Sequence, residues 1–173
     1  NDSTDETETL LEILQSHEIL TYINFSSDFY RKPQISAYHY FCRRIKGIAK
    51  WIAFIDADEF IYATGAEKNI LNQLNKLPNN VGAVGLNWAT FGSSGHLKAT
   101  HDPVFLRFQK RGIQTESVNH HYKSIVRSEA VIKPARNSHR FTLKPNFHYS
   151  RIDGSSFDLD IDHPGSTKTV SWD

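Results

Sequence analysis

The stretch Trp51-Ile52-Ala53-Phe54-Ile55-Asp56-Ala57-Asp58-Glu59-Phe60 constrains this chain more than any other. Five apolar residues run directly into three carboxylates. An unbroken apolar run of that length predicts a strand buried on both faces, as in the centre of a parallel sheet. Open α/β sheets bind ligands in the crevice beyond the carboxyl ends of their strands. Carboxylates gathered there are costly to bury unless something positive meets them. A divalent cation carrying a phosphate meets that need, because hard oxygen donors suit Mg2+ or Mn2+. The alternative is a solvated turn after an ordinary strand.

The surrounding pattern predicts an α/β protein. Ser3-x-x-Glu6 has capping-box spacing before Leu10, Leu11, Ile13 and Leu14, which predicts a helix over 4–16. Ile19 to Phe25 reads as a strand, and apolar residues from Ile35 to Ile48 recur at helical spacing. After Trp51–Ile55 a further helix is expected over 66–77 and a strand over Val81 to Trp88. Alternating helices and strands favour parallel pairing. Beyond Phe91 short β-like pieces (Val104–Phe108, Ser124–Val126, Ala130–Lys133) alternate with loops, so the second half is expected to be β- and loop-rich.

Bulk properties narrow the partners. A length of 173 residues fits one domain. A net charge of +1 gives no polyanion-binding surface, which disfavours nucleic acid. The single cysteine, Cys42, excludes an internal disulfide and reads as a small buried hydrophobe. There is neither a methionine at position 1 nor a strand before the opening Asn1-Asp2-Ser3-Thr4-Asp5 loop. The chain is therefore expected to be a stretch of a longer protein, truncated at both ends.

Three classes of metal–phosphate enzyme share a D-x-D at a strand end. If the strand continued through Asp56-Ala57-Asp58, both carboxylates would share one side and hold one metal, with Glu59 pointing elsewhere. Haloacid-dehalogenase-type phosphatases place Thr or Val where Phe60 stands, which argues against them. Sugar nucleotidyltransferases show an early glycine-rich loop, which is not seen here. Nucleotide-sugar glycosyltransferases of the GT-A type carry D-x-D in mid-domain.

Several segments carry the resemblance to that last class. They are Asn1–Thr7, Gln34-x-x-x-Tyr38, Lys50–Phe60, Asn87-Trp88-Ala89-Thr90-Phe91-Gly92-Ser93-Ser94-Gly95-His96, Arg107-Phe108, Lys123–Val126 and Ser138–Phe141. Together they resemble glycosyltransferase family 92 and the related family 2-like enzymes, in order along nearly the whole chain. The resemblance implies a GT-A-like, mostly parallel sheet flanked by helices. Residues 1–90 would form the nucleotide-sugar half and 91–173 the acceptor half of one catalytic domain. It implies metal-dependent, inverting transfer from a UDP-sugar to an acceptor hydroxyl, in glycan or surface-polysaccharide synthesis. Asp2 and Asp5 would lie near the uracil or ribose, Asp56 and Asp58 would bind ribose and Mn2+ or Mg2+, and His139 would be a further metal ligand. His139 also reads as an ordinary loop histidine.

The residues add their own suggestions. Trp88, Phe91, Gly92, Ser93 and Ser94 combine aromatic faces with glycine mobility, which suits a loop that holds a sugar acceptor or covers the site; the alternative is an ordinary β-turn. His96 is a candidate general base because an ordinary imidazole titrates near about 6.5. Asp102 and Glu116 are rival bases. Lys123 is placed to offset diphosphate charge, or is simply a surface lysine. His120 and His121 point to opposite faces of a strand and do not form a metal pair. The expected partners are a UDP-sugar and a glycan or lipid-linked sugar, with peripheral membrane association through segments outside this stretch. The expected location is cytoplasmic, at the inner face of a bacterial-type membrane, or the Golgi lumen in a eukaryote. The alternatives are a non-catalytic nucleotide- or sugar-binding module on the same fold, or a sugar nucleotidyltransferase.

Overall fold

The computed structural model describes residues 3–25, 32–98 and 101–172, so the expectation for Asp2 lies outside the described residues. In chain order come α1 (Thr7–Ser16), α2 (Pro33–Arg44), β1 (Trp51–Ala53), α3 (Ile70–Lys76), β2 (Val81–Asn87) and α4 (Val104–Arg107). A short 3-10 turn (Ser117–His120) then leads into β3 (Tyr122–Arg127), β4 (Val131–Pro134), β5 (Phe141–Leu143) and β6 (His148–Ser150). Four strands form one sheet in the order β1-β3-β2-β6, and β4 pairs with β5 in a separate hairpin. The α/β class and the β-rich second half are as expected. No described helix is long and apolar enough to cross a membrane.

The sheet is mixed, which corrects the expectation of mostly parallel pairing. β3 is antiparallel to both of its neighbours, β1 and β2, and only β2 and β6 pair in parallel. It follows that β1, β2 and β6 all run one way and β3 alone runs against them. The C-terminal ends of three strands and the start of β3 therefore share one end of the sheet.

The apolar run before the carboxylates forms an edge strand, not a central one. β1 ends at Ala53, and Ile52 and Phe54 are buried while Ala53 and Ile55 face outward, with Ile55 44% exposed. β3 is buried along its whole length, and β2 from Val81 to Gly85. β3 carries four residues with polar side-chain groups besides Ile125 and Val126. An unpaired buried polar group costs about 1–3 kcal/mol, so its partners matter. Arg127 Nε donates to the Val81 carbonyl at 3.0 Å, and its guanidinium lies over the Trp51 ring at 4.4 Å. Ser124 Oγ donates to the His139 carbonyl.

Two clusters cover the two faces of the sheet. Tyr38 and Cys42 of α2 pack with Ile52, Phe54, Val126 and Phe141, while Leu74 and Leu77 pack with Val81, Val84 and Ile125. Cys42 is buried as expected, and burial pushes its thiol up to about 11. Asn69 caps α3 by accepting from the Leu71 and Asn72 N–H groups.

Other local expectations are also corrected. Glu6 is the N-cap of α1, without a side-chain capping bond, and Asp5 Oδ1 instead accepts from the Thr7 N–H at 3.1 Å. Residues 19–25 form no strand, and Tyr22 folds back on α1 through Gln15 and Glu8. Val104–Arg107 is one helical turn started by Pro103, whose fixed φ suits a helix start.

Candidate functional site

The site is built where β1 stops and β3 continues. Trp51 pairs with Arg127 and Ala53 with Ile125, so the same register would set Ile55 opposite Lys123. β1 breaks off before that, and Asp56–Glu59 close a turn in which the Glu59 N–H donates to the Asp56 carbonyl at 3.1 Å. Because the strand does not continue, the alternating geometry expected for Asp56 and Asp58 does not apply.

Lys123 fills the space beneath this turn. It is only 4% exposed, and its Nζ lies 2.9 Å from Asp56 Oδ2 and 3.3 Å from Glu59 Oε2. Gln34 Nε2 of α2 donates to Asp56 Oδ1 at 2.7 Å, and Glu59 Oε2 accepts the Asp56 N–H at 2.9 Å. Glu59 thus points into the same cluster as Asp56, correcting the expectation that it would point away. Burial is the largest influence on the Lys123 ammonium and favours its neutral form. The Asp56 hydrogen bond and the pull of Glu59 outweigh it, and the net shift is upward. Lys123 is therefore a buried counter-ion to the turn, its ammonium held by carboxylates. Asp58 projects outward as an exposed carboxylate. Asp56, Asp58 and Glu59 set against Lys123 leave two formal negative charges.

His139 lies beside this cluster, in the connection between β4 and β5. Its Nδ1 is 2.8 Å from the Tyr122 carbonyl, which can only accept, so Nδ1 carries the proton and Nε2 keeps its lone pair. Burial lowers its pKa, the Tyr122 carbonyl opposes that, and the nearby charge of Lys123 lowers it further. The ring packs edge-on to Trp88 (5.5 Å) and His121 (5.8 Å), and Trp88 stacks on His121 at 5.2 Å. Asn137 Oδ1 fixes this connection by accepting from the His139 and Arg140 N–H groups.

The chemistry of this donor set suits a hard divalent cation: carboxylate oxygens at a net-negative turn and a neutral imidazole nitrogen. No group of three His, Cys, Asp or Glu side chains among the described residues is gathered to hold one. Mg2+ commonly uses only one or two carboxylates, with water and substrate phosphates completing its shell.

The segment after β2 lies at the same end of the sheet. Phe91 bridges Arg111, the Gly92 N–H donates to the Lys110 carbonyl, and Ser94 Oγ accepts from the Gln109 and Lys110 N–H groups. Ser94 and Gly95 both have positive φ at the tip. His96 is exposed and lines a cavity of about 270 Å3 with Ser93, Lys98, Arg107 and Phe108. Asp102 and Glu116 are both exposed. Asp5 is exposed at the start of α1, where its bond to Thr7 lowers its pKa.

Two participants were not anticipated. Gln34 carries no role in the sequence pattern beyond opening the Gln34-x-x-x-Tyr38 segment. Residues 166–172 run over the site as a strap: Trp172 Nε1 donates to the Trp88 carbonyl at 2.8 Å, and the Thr167 N–H donates to the His120 carbonyl at 2.9 Å. Asn87 Nδ2 donates to Thr167 Oγ1, also at 2.8 Å. No periodicity marks this strap, because polar backbone contacts hold it.

The model of glycosyltransferase family 92 matches residues 1–153, a span that contains the carboxylate turn, Trp88, Lys123 and His139. The chain belongs to glycosyltransferase family 92. A family 92 glycosyltransferase of Ricinus communis is 30% identical over 159 residues, covering 88% of this chain and 27% of that protein. The family 92 chain thus spans about a quarter of the length of the curated relative it matches. No solved structure matches it.

Proposed function

We propose that this family 92 chain carries the donor-binding and transfer site of a metal-dependent glycosyltransferase on a GT-A-like fold. Its substrates would be a UDP-sugar and an acceptor hydroxyl. The observation that carries the reading is the turn at Asp56–Glu59, where a buried lysine holds two carboxylates in place and a third is left exposed. This turn sits beyond the carboxyl end of a strand, where open α/β sheets bind their ligands.

In this reading Asp58 and Asp56 hold Mn2+ or Mg2+ and the ribose, with His139 Nε2 as a further donor. When bound, the cation acts as a Lewis acid that neutralises the diphosphate leaving group. Lys123 and Gln34 keep Asp56 from swinging away, and Glu59 locks the turn by taking the Asp56 N–H. Trp88 and the Phe91–Ser94 segment receive the acceptor. Its hydroxyl attacks the anomeric carbon in line and gives its proton to His96 or Asp102, inverting the configuration.

Calorimetry with UDP, with and without Mn2+, tests the binding step, and UDP release from a panel of UDP-sugars tests the transfer step. Metal-dependent UDP binding and its loss in Asp58→Ala are expected. Unchanged UDP release by Asp58→Ala would sink the transferase reading. UDP binding that ignores the metal would favour a non-catalytic module.

A further inference from the structure

A cavity of about 690 Å3 opens between the β4–β5 hairpin, β6 and the segment 157–164. Ligand sites typically occupy about 300–1,000 Å3. Its charged and titratable lining is one-sided, with Arg136, Arg140 and His148 present and no carboxylate among the lining residues. Half-buried Phe147 and Tyr149 give it an apolar wall. Tyr149 is itself fixed: its hydroxyl accepts the Phe141 N–H at 2.8 Å and lies 3.2 Å from Ser124 Oγ. The opposite wall is Phe157, Leu159 and Pro164, beyond the segment that matches the family model. Phe157 is seated on Gly85, where an added Cβ would come within 2.1 Å of the ring.

The connection between β4 and β5 joins this cavity to the carboxylate site. Asn137 clamps it, Asn137 and Arg140 line the cavity, and His139 turns the other way onto Trp88 and the Tyr122 carbonyl. The connection carrying His139 thus stands between a ligand in the cavity and Trp88, the first residue assigned to the acceptor. Guanidinium groups match a planar carboxylate through paired N–H donors, and aromatic and aliphatic walls suit the C–H face of a sugar ring.

We propose that this cavity is an acceptor subsite that selects a sugar unit bearing a carboxylate, a uronate, through Arg136 and Arg140. The assignment to the acceptor rests on the transferase reading above; the preference for a uronate rests on the cavity alone.

Saturation-transfer NMR on the whole chain with glucuronate, glucose and inorganic phosphate tests it, alongside UDP–Mn2+ calorimetry. Glucuronate is expected to bind at least about tenfold more tightly than glucose, the effect of one charge-assisted hydrogen bond. Phosphate should compete less well than glucuronate. Arg136→Gln with Arg140→Gln should erase the preference and leave UDP binding intact. If that variant does not fold, added salt should still shrink the preference in the unaltered chain. Equal binding of glucose and glucuronate overturns the subsite, as does phosphate competing as well as glucuronate or a preference that survives both substitutions. UDP binding without a glucuronate preference removes the subsite alone and leaves the transferase reading standing. Glucuronate binding without UDP binding overturns the acceptor assignment.

Discussion

Two connections meet at the same end of the sheet, and they are built by opposite means. The turn after β1 is held by side chains from other elements: Gln34 from α2 and Lys123 from β3 both bind Asp56. The segment after β2 is pinned near its tip to its own neighbour in sequence, residues 109–111, mostly by backbone groups. Its outer residues are open, with Phe91 40% and Leu97 98% exposed. Charge must be fixed in place to be useful, because a carboxylate free to turn toward water loses its preorganisation. A sugar-receiving surface has no such requirement. For the proposed transferase, the contrast predicts a rigid donor side and an adaptable acceptor side.

The sharpest way to break this comparison is Asp58→Asn. Because Asp58 projects outward, the fold should hold its melting temperature while metal-dependent UDP release falls on the order of 100-fold or more. Even outer-shell partners of a metal cost about 10–100-fold when removed. Parallel loss of melting temperature would make Asp58 a structural residue instead.

Lys123→Met should lower stability as well. It leaves Asp56 and Glu59 without their counter-ion, and breaking a fully buried pair costs about 3–5 kcal/mol. Asp56 is partly open to water, which lowers the expectation to about 2–3 kcal/mol by denaturant unfolding. A change near zero would show that the turn does not depend on its ion pair.

Gly95→Ala probes the other side. Gly95 has φ +92°, a conformation that costs a Cβ-bearing residue about 1 kcal/mol or more. Acceptor use should suffer while UDP binding stays unchanged, and equal damage to both would merge the two regions into one. The smallest effect concerns His139, whose pKa is lowered by burial. The unfolded chain takes up its proton first, so this contribution to stability is complete above about 6.5, the ordinary imidazole value, and is lost as pH falls through the lower folded value. The melting temperature should therefore drop less between pH 7 and pH 5 in His139→Gln than in the unaltered chain.

Much of this site was legible in the sequence, but not its geometry. The acidic turn and Trp88 stand out by residue type and order, His139 stands out only through the family resemblance, and the fold brings the three together. An all-apolar run such as Trp51–Ile55 has no alternation to reveal which face is covered, so edge and centre looked alike. β3 misled in the other direction, because Lys123, Ser124 and Arg127 look solvent-facing until their long-range partners are known. Glu59 was mis-aimed because its direction depends on where β1 stops. That end is set by tertiary pairing, not by local pattern. β5 and β6 are three residues each, too short to register as a period.

Two of the chain's three tryptophans, Trp88 and Trp172, are joined by a hydrogen bond at the site, with Arg111 4.1 Å from the Trp172 ring. The third, Trp51, begins β1 at the far end of the sheet beneath Arg127. The molecule thus carries its own optical gauge. Emission from Trp172, whose indole N–H is bound to the Trp88 carbonyl, and from Trp88 itself should respond when a ligand reaches the site, with Trp51 as a quiet internal reference, and no label need be attached.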